Sequence, residues 1–327
     1  ARDKFFIIWQ DRPFMKKPLY KDQLIVITGA AGFIGSNVVR FLNNKGFSNL
    51  LLVDDFQRSE KWKNLQHKSF FDMISRHDLF DYLKDKAQDI EAFIHLGACS
   101  DTTELDGNYI MEVNYRFSVK LAEYALTHGH RFIYASSAAT YGDGSCGFID
   151  NPLKLDELRA LNLYGFSKHL FDKWVVEQGV LDQVVGLKYF NIFGPNEWHK
   201  KRMGSMVMHL TDQIKHSGVA RLFKSSDPDR FPDGGQCRDF YYVKDAVAMT
   251  CFFLENDITG LFNAGSGEAN TWNSMARAIF KALKKEEKIE YIPMPKDLIG
   301  KYQNYTCADM GHFKRALDSG ETTFNNT

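Results

Sequence analysis

The chain has 327 residues, of which 41 are Lys or Arg and 41 are Asp or Glu, so its formal net charge at pH 7 is zero. This length can bury a sizeable core and favours one large α/β domain with a smaller appended region. The balanced charge provides no overall positive field, which argues against nucleic acid or an anionic membrane as a partner and leaves any anionic ligand to local basic residues.

Cysteine spacing and hydropathy indicate the cellular compartment and whether the chain holds a metal or crosses a membrane. The five cysteines, at positions 99, 146, 237, 251 and 307, are scattered and form no Cys-x-x-Cys pair. This spacing argues against a metal site and fits a reducing compartment, so the sequence predicts a cytoplasmic protein without a metal. No apolar run approaches the roughly 18–20 residues that cross a bilayer, and residues 5–9 are too short for the apolar part of a signal peptide.

The first 21 residues contain Asp11-Arg12-Pro13 and Lys16-Lys17-Pro18. Such breaker-rich stretches interrupt regular structure, so we expect an N-terminal extension. The pattern leaves open whether it is a true extension, an added remnant or an edge element of the fold.

A strand, a glycine-rich turn and a helix follow one another after this extension. Residues 24–27 predict a buried strand, and Gly29, Gly32 and Gly35 lead into a helix with an apolar face. Glycine lets the chain turn tightly and lets a pyrophosphate approach bare backbone, while the helix N-terminus supplies N–H donors. This pattern predicts a dinucleotide-binding site.

The next predicted strand, residues 50–53, ends in Asp54-Asp55. A first βαβ unit places its ribose-binding carboxylate at this position. Lys61 and Arg76 lie farther on, where they could contact a 2′-phosphate of the cofactor. The alternative interpretation is that both are solvated surface charges.

Two further strands are predicted at residues 90–96 and 131–135. The first ends in the small residues Gly97-Ala98-Cys99-Ser100, which suit a cofactor crossing the sheet there. We interpret His95, inside this strand, as a hydrogen-bonded core residue. Strands and helices that alternate from residue 24 predict a doubly wound parallel sheet with its site at the carboxyl ends of the strands.

Tyr164 and Lys168 stand four residues apart on a predicted helix, so they share one face. An ammonium near a phenol favours the phenolate. We therefore expect Lys168 to lower the pKa of Tyr164 from its ordinary value of about 10 and to make it an acid or base near neutrality.

In combination, these motifs resemble the extended short-chain dehydrogenase/reductase family. The resemblance rests on the glycine triplet, Ser137 and the Tyr164–Lys168 pair, and it spans most of the chain. The stretches at residues 97–100, 134–142, 164–168, 189–195 and 238–240 look like the ADP-glycero-manno-heptose 6-epimerases of that family. The resemblance implies an enzyme that binds NADP and inverts one carbinol of a nucleotide-linked heptose for lipopolysaccharide.

The resemblance also implies roles for individual residues. Tyr164 is the expected acid/base, Lys168 holds the nicotinamide ribose, Ser137 helps to bind the reacting hydroxyl, and Lys200 is a second base, with Lys201 as a competing candidate. The expected cofactor-binding residues are Gly29, Gly32, Phe33, Ile34, Gly35, Asp54, Asp55, Lys61, Arg76, Leu96, Gly97, Ala98, Cys99, Ser100, Asn114, Tyr164, Lys168 and Ile192. The expected substrate-binding residues are Asn191, Arg202, His209, Phe223, Lys224, Ser225, Ser226, Arg238 and Tyr302.

Two questions stay open at this point. NADP is the expected cofactor and NAD the alternative, because Asp54 and Asp55 would repel a 2′-phosphate. The alternative functions are another NAD(P)-dependent sugar-nucleotide epimerase, dehydratase or reductase, and a non-catalytic dinucleotide sensor. Ala138-Ala139 stand where dehydratases of this family carry an acidic pair, which disfavours elimination.

We expect three parts: an extension at residues 1–21, a dinucleotide-binding Rossmann domain at 22–194, and a mostly substrate-binding region at 195–327, of which 238–267 returns to the Rossmann domain. The chain stops at residue 327 where the family usually adds an amphipathic helix, which suggests a truncated C-terminus. The resemblance further implies a homo-oligomer, often a pentamer.

Overall fold

The computed structural model describes residues 18–56, 59–295 and 303–319. The predictions for residues 1–17, for the end of the chain after residue 319 and for Tyr302 lie outside this part. The strands of the described part are, in chain order, β1 (Leu24–Thr28), β2 (Leu50–Asp54), β3 (Asp72–Ser75), β4 (Ile90–His95), β5 (Arg131–Ser137), β6 (Val184–Tyr189), β7 (Asn191–Phe193), β8 (Ala220–Phe223), β9 (Cys237–Tyr242), β10 (Gly260–Ala264), β11 (Ala269–Thr271) and β12 (Ile289–Ile292).

The helices lie between some of these strands and after the last. In chain order they are α1 (Phe33–Asn44), α2 (Leu79–Tyr82), α3 (Gly107–Ile110), α4 (Phe117–Thr127), α5 (Leu163–Glu177), α6 (Met206–Ser217), α7 (Val243–Glu255), α8 (Trp272–Leu283) and α9 (Gly311–Ser319). A π-helical turn at Met111–Arg116 joins α3 to α4. Among the described residues, no helix combines the length and the apolar composition that crossing a bilayer requires.

The central sheet of the described chain has seven strands in the order β10-β6-β5-β4-β1-β2-β3. Every neighbouring pair is parallel. Each parallel connection must cross over one face of the sheet, and helices make these crossovers. The predicted doubly wound parallel sheet is confirmed.

Helices cover both faces of the sheet, as the burial of β1 shows. Ile25 and Ile27 face one apolar cluster, to which α1 and α7 contribute. Leu24 and Val26 face a second cluster, which includes side chains of α4 and α5. Side chains alternate across a strand, so a strand that is buried on both faces is apolar throughout. This explains why the sequence of β1 is a continuous apolar run.

A smaller region is built mainly from residues after β6. A three-stranded sheet joins β11, β9 and β7, and a parallel pair joins β8 and β12. Helices α6 and α8 pack with this pair around a separate core that contains Leu210, Ile214, Leu222 and Phe280. The strand β10 interrupts this region in the chain and returns to the central sheet. The exact division at residue 194 stays a prediction.

Candidate active site

The carboxyl ends of β1, β2, β4, β5 and β6 open into one cleft of about 720 Å³. Parallel strands end at the same edge of their sheet, so residues far apart in the sequence meet there. This volume lies within the range of cofactor and ligand sites. The cleft continues from the glycine-rich turn to the smaller region, where Phe240 and Trp272 form part of its wall.

The glycine-rich turn fits tightly between β1 and β4. Gly29 has a positive φ of 67°, and a Cβ added to it would lie 2.7 Å from the backbone nitrogen of Gly97. A Cβ at Gly35 would lie 2.2 Å from the carbonyl oxygen of Gly29. The first turn of α1 contains no acidic residue, and Gly32, Phe33 and Ile34 line the cleft. This bare helix N-terminus fits the pyrophosphate of a dinucleotide.

Asp54 and Asp55 each have a cationic partner at the far end of the cleft. The carboxylate of Asp54 accepts hydrogen bonds from Ala31 N at 2.8 Å, from Asp55 N at 2.7 Å and from Lys61 Nζ at 2.6 Å. Arg76 Nε lies 3.3 Å from a carboxylate oxygen of Asp55. Asp54 therefore fastens the glycine-rich turn as well as lining the cleft, and both carboxylates are offset by positive charge.

The segment after β4 is fixed from behind by Asn114. The Asn114 side chain accepts a hydrogen bond from Cys99 N at 2.8 Å and donates to Cys99 O at 2.9 Å and to Ser167 Oγ at 3.0 Å. Asn114 is fully buried within the π-helical turn, a local geometry that is frequent at functional sites. It supports the cleft wall from outside the lining.

His95 is a core residue, as interpreted from the sequence. Its ring is hydrogen-bonded to Thr28 Oγ1 at 2.6 Å and to Ser118 Oγ at 2.8 Å. Burial lowers the pKa of His95 to about 3, so the ring is neutral at physiological pH.

Ser137, Tyr164 and Lys168 meet at the centre of the cleft. Asn162 caps α5 by accepting a hydrogen bond from Gly165 N at 2.8 Å, which fixes where this helix begins. A Cβ at Gly165 would lie 2.7 Å from the carbonyl oxygen of Ala139, so the helix can approach the turn after β5 only with glycine there. Tyr164 consequently reaches Ser137 and is hydrogen-bonded to it.

The pKa of Tyr164 departs from the sequence-based expectation. Burial raises it above its ordinary value, and the hydrogen bond with Ser137 offsets only part of this rise. Lys168 donates to the carbonyl oxygen of Ala135 at 2.7 Å, and its own pKa is lowered by burial to about 8. The expected lowering of the Tyr164 pKa by Lys168 is therefore wrong for this geometry, because burial dominates the shift and raises the pKa.

Lys200 reaches the cleft from the segment that joins β7 to α6. Glu197, which is 5% exposed, accepts hydrogen bonds from Gly194 N at 3.0 Å, Ser205 N at 2.6 Å and Ser205 Oγ at 2.8 Å. Burial lowers the pKa of Lys200, and the Glu197 carboxylate opposes this shift. Lys201 has a positive φ of 48°, is exposed and does not line the cleft.

The structure brings most predicted cofactor and catalytic residues together. All of the expected cofactor-binding residues except Asn114 line the cleft, and so do the four expected catalytic residues. The substrate set is more dispersed. Asn191 lines the cleft, whereas His209 and Phe223 line an adjoining groove of about 600 Å³ that meets the cleft at Met206.

The remaining predicted substrate residues that the structure describes lie outside the lining of both spaces. Arg202 is exposed and donates to Thr103 Oγ1, and Arg238 is buried with its guanidinium 5.4 Å from the centre of the Trp272 ring. Lys224, Ser225 and Ser226 do not line either space. The backbone N–H of Ser225 donates to Asp233 at 2.8 Å, which places it in a local turn.

Several lining residues were not found from the sequence. Glu197, His199, Phe240 and Trp272 reach the cleft from elements that are distant from the glycine and Tyr-x-x-x-Lys motifs. No spacing rule marks them in a single sequence. In the part of the chain that the structure describes, no group of His, Cys, Asp or Glu side chains is arranged to hold a metal ion.

A family model described as the NAD dependent epimerase/dehydratase family matches residues 25–265. An ADP-L-glycero-D-manno-heptose-6-epimerase from Nitratidesulfovibrio vulgaris strain Hildenborough is 47% identical over 296 residues, covering 90% of this chain and 91% of its own. An enzyme of the same name from Fusobacterium nucleatum subsp. nucleatum is 42% identical over 303 residues, covering 89% and 91%.

Solved structures show the same fold. The Helicobacter pylori ADP-L-glycero-D-manno-heptose-6-epimerase superposes with a TM-score of 0.77 at 28% identity and covers 91% of each chain. A UDP-N-acetylglucosamine 4-epimerase from Methanobrevibacter ruminantium superposes with a TM-score of 0.74 at 23% identity, covering 91% of this chain and 93% of its own. The second likeness concerns the fold alone.

Proposed function

The chain belongs to the NAD dependent epimerase/dehydratase family, and from that premise we propose that it is an ADP-L-glycero-D-manno-heptose 6-epimerase. The observation that carries the proposal is the presence of Tyr164, Ser137, Lys168 and Lys200 around one cleft. The relatives that are 42–47% identical over about nine-tenths of the chain support the choice of substrate. The product would be a heptose precursor of lipopolysaccharide.

The proposed reaction needs redox chemistry. C6 of the heptose is not next to a carbonyl, so its hydrogen is not acidic and deprotonation alone cannot invert the centre. The glycine-rich turn and the end of the cleft at Asp54 and Lys61 would hold a nicotinamide dinucleotide, which would supply reversible hydride transfer at C6. Ser137 and Lys168 would orient the reacting groups, and the surrounding cleft would exclude water.

Two acid/base groups suit this reaction because the C6 hydroxyl points in opposite directions in substrate and product. One fixed base serves only one of these directions well. The raised pKa of Tyr164 keeps its hydroxyl protonated and able to donate a proton, and the lowered pKa of Lys200 favours the neutral amine that can accept one. We assign the second base to Lys200 rather than Lys201 because only Lys200 lines the cleft.

We propose NADP as the cofactor rather than NAD. Asp54 and Asp55 alone would repel a 2′-phosphate, but Lys61 lies 2.6 Å from Asp54 and Arg76 lies 3.3 Å from Asp55. All four side chains line the cleft. Because the two cations offset the two carboxylates, a phosphate there would meet no net negative charge and two donors.

The two positions that follow Ser137 carry no acidic side chain that could assist the elimination of water. Ala138 and Ala139 follow Ser137 and form the start of a 3₁₀ turn with Thr140 and Tyr141. An apolar methyl group therefore occupies each position where a dehydratase of this family carries a carboxyl group. This observation favours epimerisation over the dehydratase alternative.

The proposal extends to compartment and assembly. All five cysteines are free thiols, which supports a reducing compartment and hence the cytoplasm. The resemblance to the heptose epimerases supports a homo-oligomer, with a pentamer as the expected form. Sedimentation of the purified protein measures the number of subunits.

Interconversion of the two C6 epimers of ADP-glycero-manno-heptose tests the proposed activity. Substrate that carries deuterium at C6 should give inverted product that retains the deuterium without added NADPH. The matched Tyr164→Phe variant should lose about 10²- to 10⁴-fold in kcat, because it lacks the ionisable hydroxyl. Exchange of the deuterium with solvent, or wild-type protein that leaves both epimers unchanged, would exclude this function.

A further inference from the structure

A buried ion pair lies directly behind the strand that carries Ser137. Lys188 of β6 and Asp172 of α5 are both fully buried, and Lys188 Nζ lies 2.7 Å from Asp172 Oδ2. Lys188 is paired with Ser136 across the β5–β6 ladder. Lys188 thus lies opposite the residue that precedes Ser137, the expected substrate-binding serine.

Hydrogen bonds connect this pair to both sides of Ser137. On one side, Ser136 Oγ donates to Asp172 Oδ2 at 2.7 Å. On the other, Lys188 Nζ donates to Thr140 Oγ1 at 2.7 Å, and Thr140 Oγ1 donates to the carbonyl oxygen of Ser137 at 2.8 Å. The backbone of Ser137 is therefore held between two branches that start from one ion pair.

Asp172 also connects β5 to the helix that carries Tyr164 and Lys168. It lies one turn after Lys168 on α5, so the two side chains share a face. Its second carboxylate oxygen accepts a hydrogen bond from Tyr134 OH at 3.0 Å. The same carboxylate opposes the effect of burial on the pKa of Lys168.

Stability alone is a weak reason for such a pair. The desolvation of two buried charges is costly, and replacing a buried ion pair by well-packed apolar residues is often neutral or stabilising. Removing only one partner is strongly destabilising because it leaves a buried charge alone. The connections to Ser137 offer a second reason for its presence.

We propose that Asp172 and Lys188 are positioning residues that hold Ser137 in place against Tyr164, through Ser136 on one side and Thr140 on the other. This inference deepens the proposed epimerase and rests on that function for its kinetic consequence. Neither residue lines the cleft, so both act on the reaction through their neighbours. The structural part of the inference concerns the Ser137–Tyr164 hydrogen bond and needs no substrate.

Two matched variants separate positioning from packing. Thr140→Val and Tyr134→Phe each remove one hydroxyl that contacts the ion pair, and both sites are buried and outside the cleft lining. Only Thr140 leads to Ser137. We expect Thr140→Val to lower kcat by roughly tenfold with KM within about twofold, equivalent to a small change in the activation barrier. Tyr134→Phe should keep kcat within about twofold.

Titration of Tyr164 provides a readout that is independent of the substrate. The hydrogen bond with Ser137 lowers the pKa of Tyr164, so loosening Ser137 should raise this pKa in Thr140→Val and leave it unchanged in Tyr134→Phe. Tyrosine labelled with ¹³C at Cζ reports the titration by NMR, with Tyr164→Phe assigning the signal. If wild-type protein fails to epimerise the heptose but the shift occurs, the proposed function fails and the positioning role stands.

A double variant tests whether the pair acts only on stability. Asp172→Leu combined with Lys188→Met removes both charges and should lower the thermal midpoint less than Lys188→Met alone, which leaves a buried charge without its partner. We expect kcat of the double variant to remain at least about tenfold below that of the wild type. Recovery of both the midpoint and kcat, together with an unchanged Tyr164 titration in Thr140→Val, would overturn the proposal.

Discussion

Ser205 donates its backbone N–H to Glu197 at 2.6 Å, and this contact spans the part of the segment that carries Lys200. Glu197 also accepts from Gly194 N at the start of that segment. One buried carboxylate thus closes the loop and lies close enough to Lys200 to raise its pKa against the effect of burial. Loop geometry and base strength depend on the same side chain.

Replacing Glu197 by Gln should shift the pH dependence of the reaction. The pKa of Lys200 falls further when the carboxylate is removed, and a base is active only when it is neutral. The acidic limb of the kcat profile should therefore move to lower pH in Glu197→Gln. Ser205→Ala is the control, since it removes the hydroxyl that donates to Glu197 and caps α6 but keeps the carboxylate. An unmoved limb in Glu197→Gln would separate Glu197 from the base.

The identity of the second base can be decided by two neighbouring substitutions. Lys200→Met removes an amine that lines the cleft, and Lys201→Met removes an exposed amine that does not. Removal of a general base typically costs about 10²- to 10⁴-fold in rate, so we expect this loss in kcat for Lys200→Met and near wild-type kcat for Lys201→Met. The opposite result would move the assignment to Lys201.

Cofactor preference should depend on Arg76. If its guanidinium contacts a 2′-phosphate, Arg76→Ala should raise the Kd for NADP by roughly tenfold or more, because a charge-assisted hydrogen bond is worth about 1.5–3 kcal/mol. The Kd for NAD should change little. Lys63→Ala is a suitable control because Lys63 belongs to the nearby 3₁₀ turn but pairs with Glu60. Stripped wild-type protein that binds NAD at least tenfold more tightly would contradict the choice of NADP.

Lys168 should make unfolding free energy depend on pH in alkaline solution. Its folded-state pKa of about 8 lies below its ordinary value of 10.5, so the unfolded chain binds more protons between these values. Stability from this residue should therefore increase as the pH rises from about 8 to 10.5. Urea unfolding of the wild type and of Lys168→Met measures this dependence. The free energy of unfolding of the wild type should increase relative to that of the variant over this pH range. A difference in unfolding free energy that stays constant with pH would mean that burial does not lower the pKa of Lys168.

The sequence predicted the parts of the site that depend on local spacing. Gly29, Gly32 and Gly35 follow one strand within a few residues, and Tyr164 and Lys168 share a helix face, so a short window contains all the necessary information. The central sheet followed from the alternation of apolar strands and helices. Strand and helix periodicity is visible in a sequence because burial on a regular element repeats at fixed intervals.

Other parts of the site depend on contacts that no local window contains. Glu197 is recognisable only when Gly194 and Ser205 converge on it, and Trp272 only when α8 is placed against the cleft. The pKa of Tyr164 was predicted in the wrong direction because spacing reveals the nearby ammonium but not the extent of burial. The charge balance of Asp54 with Lys61 likewise required the fold.

The place of β10 in the sheet has a consequence for how the chain is made. β10 pairs with β6, although residues 190–259 come between them in the sequence. At a synthesis rate of about 5–20 residues per second, the edge of β6 emerges roughly 4–15 s before its partner. During that interval the apolar Val184, Val185 and Leu187 lie on an unpaired strand edge, which is a template for aggregation. A nascent chain that stalls before residue 260 would therefore depend on a chaperone to stay dispersed.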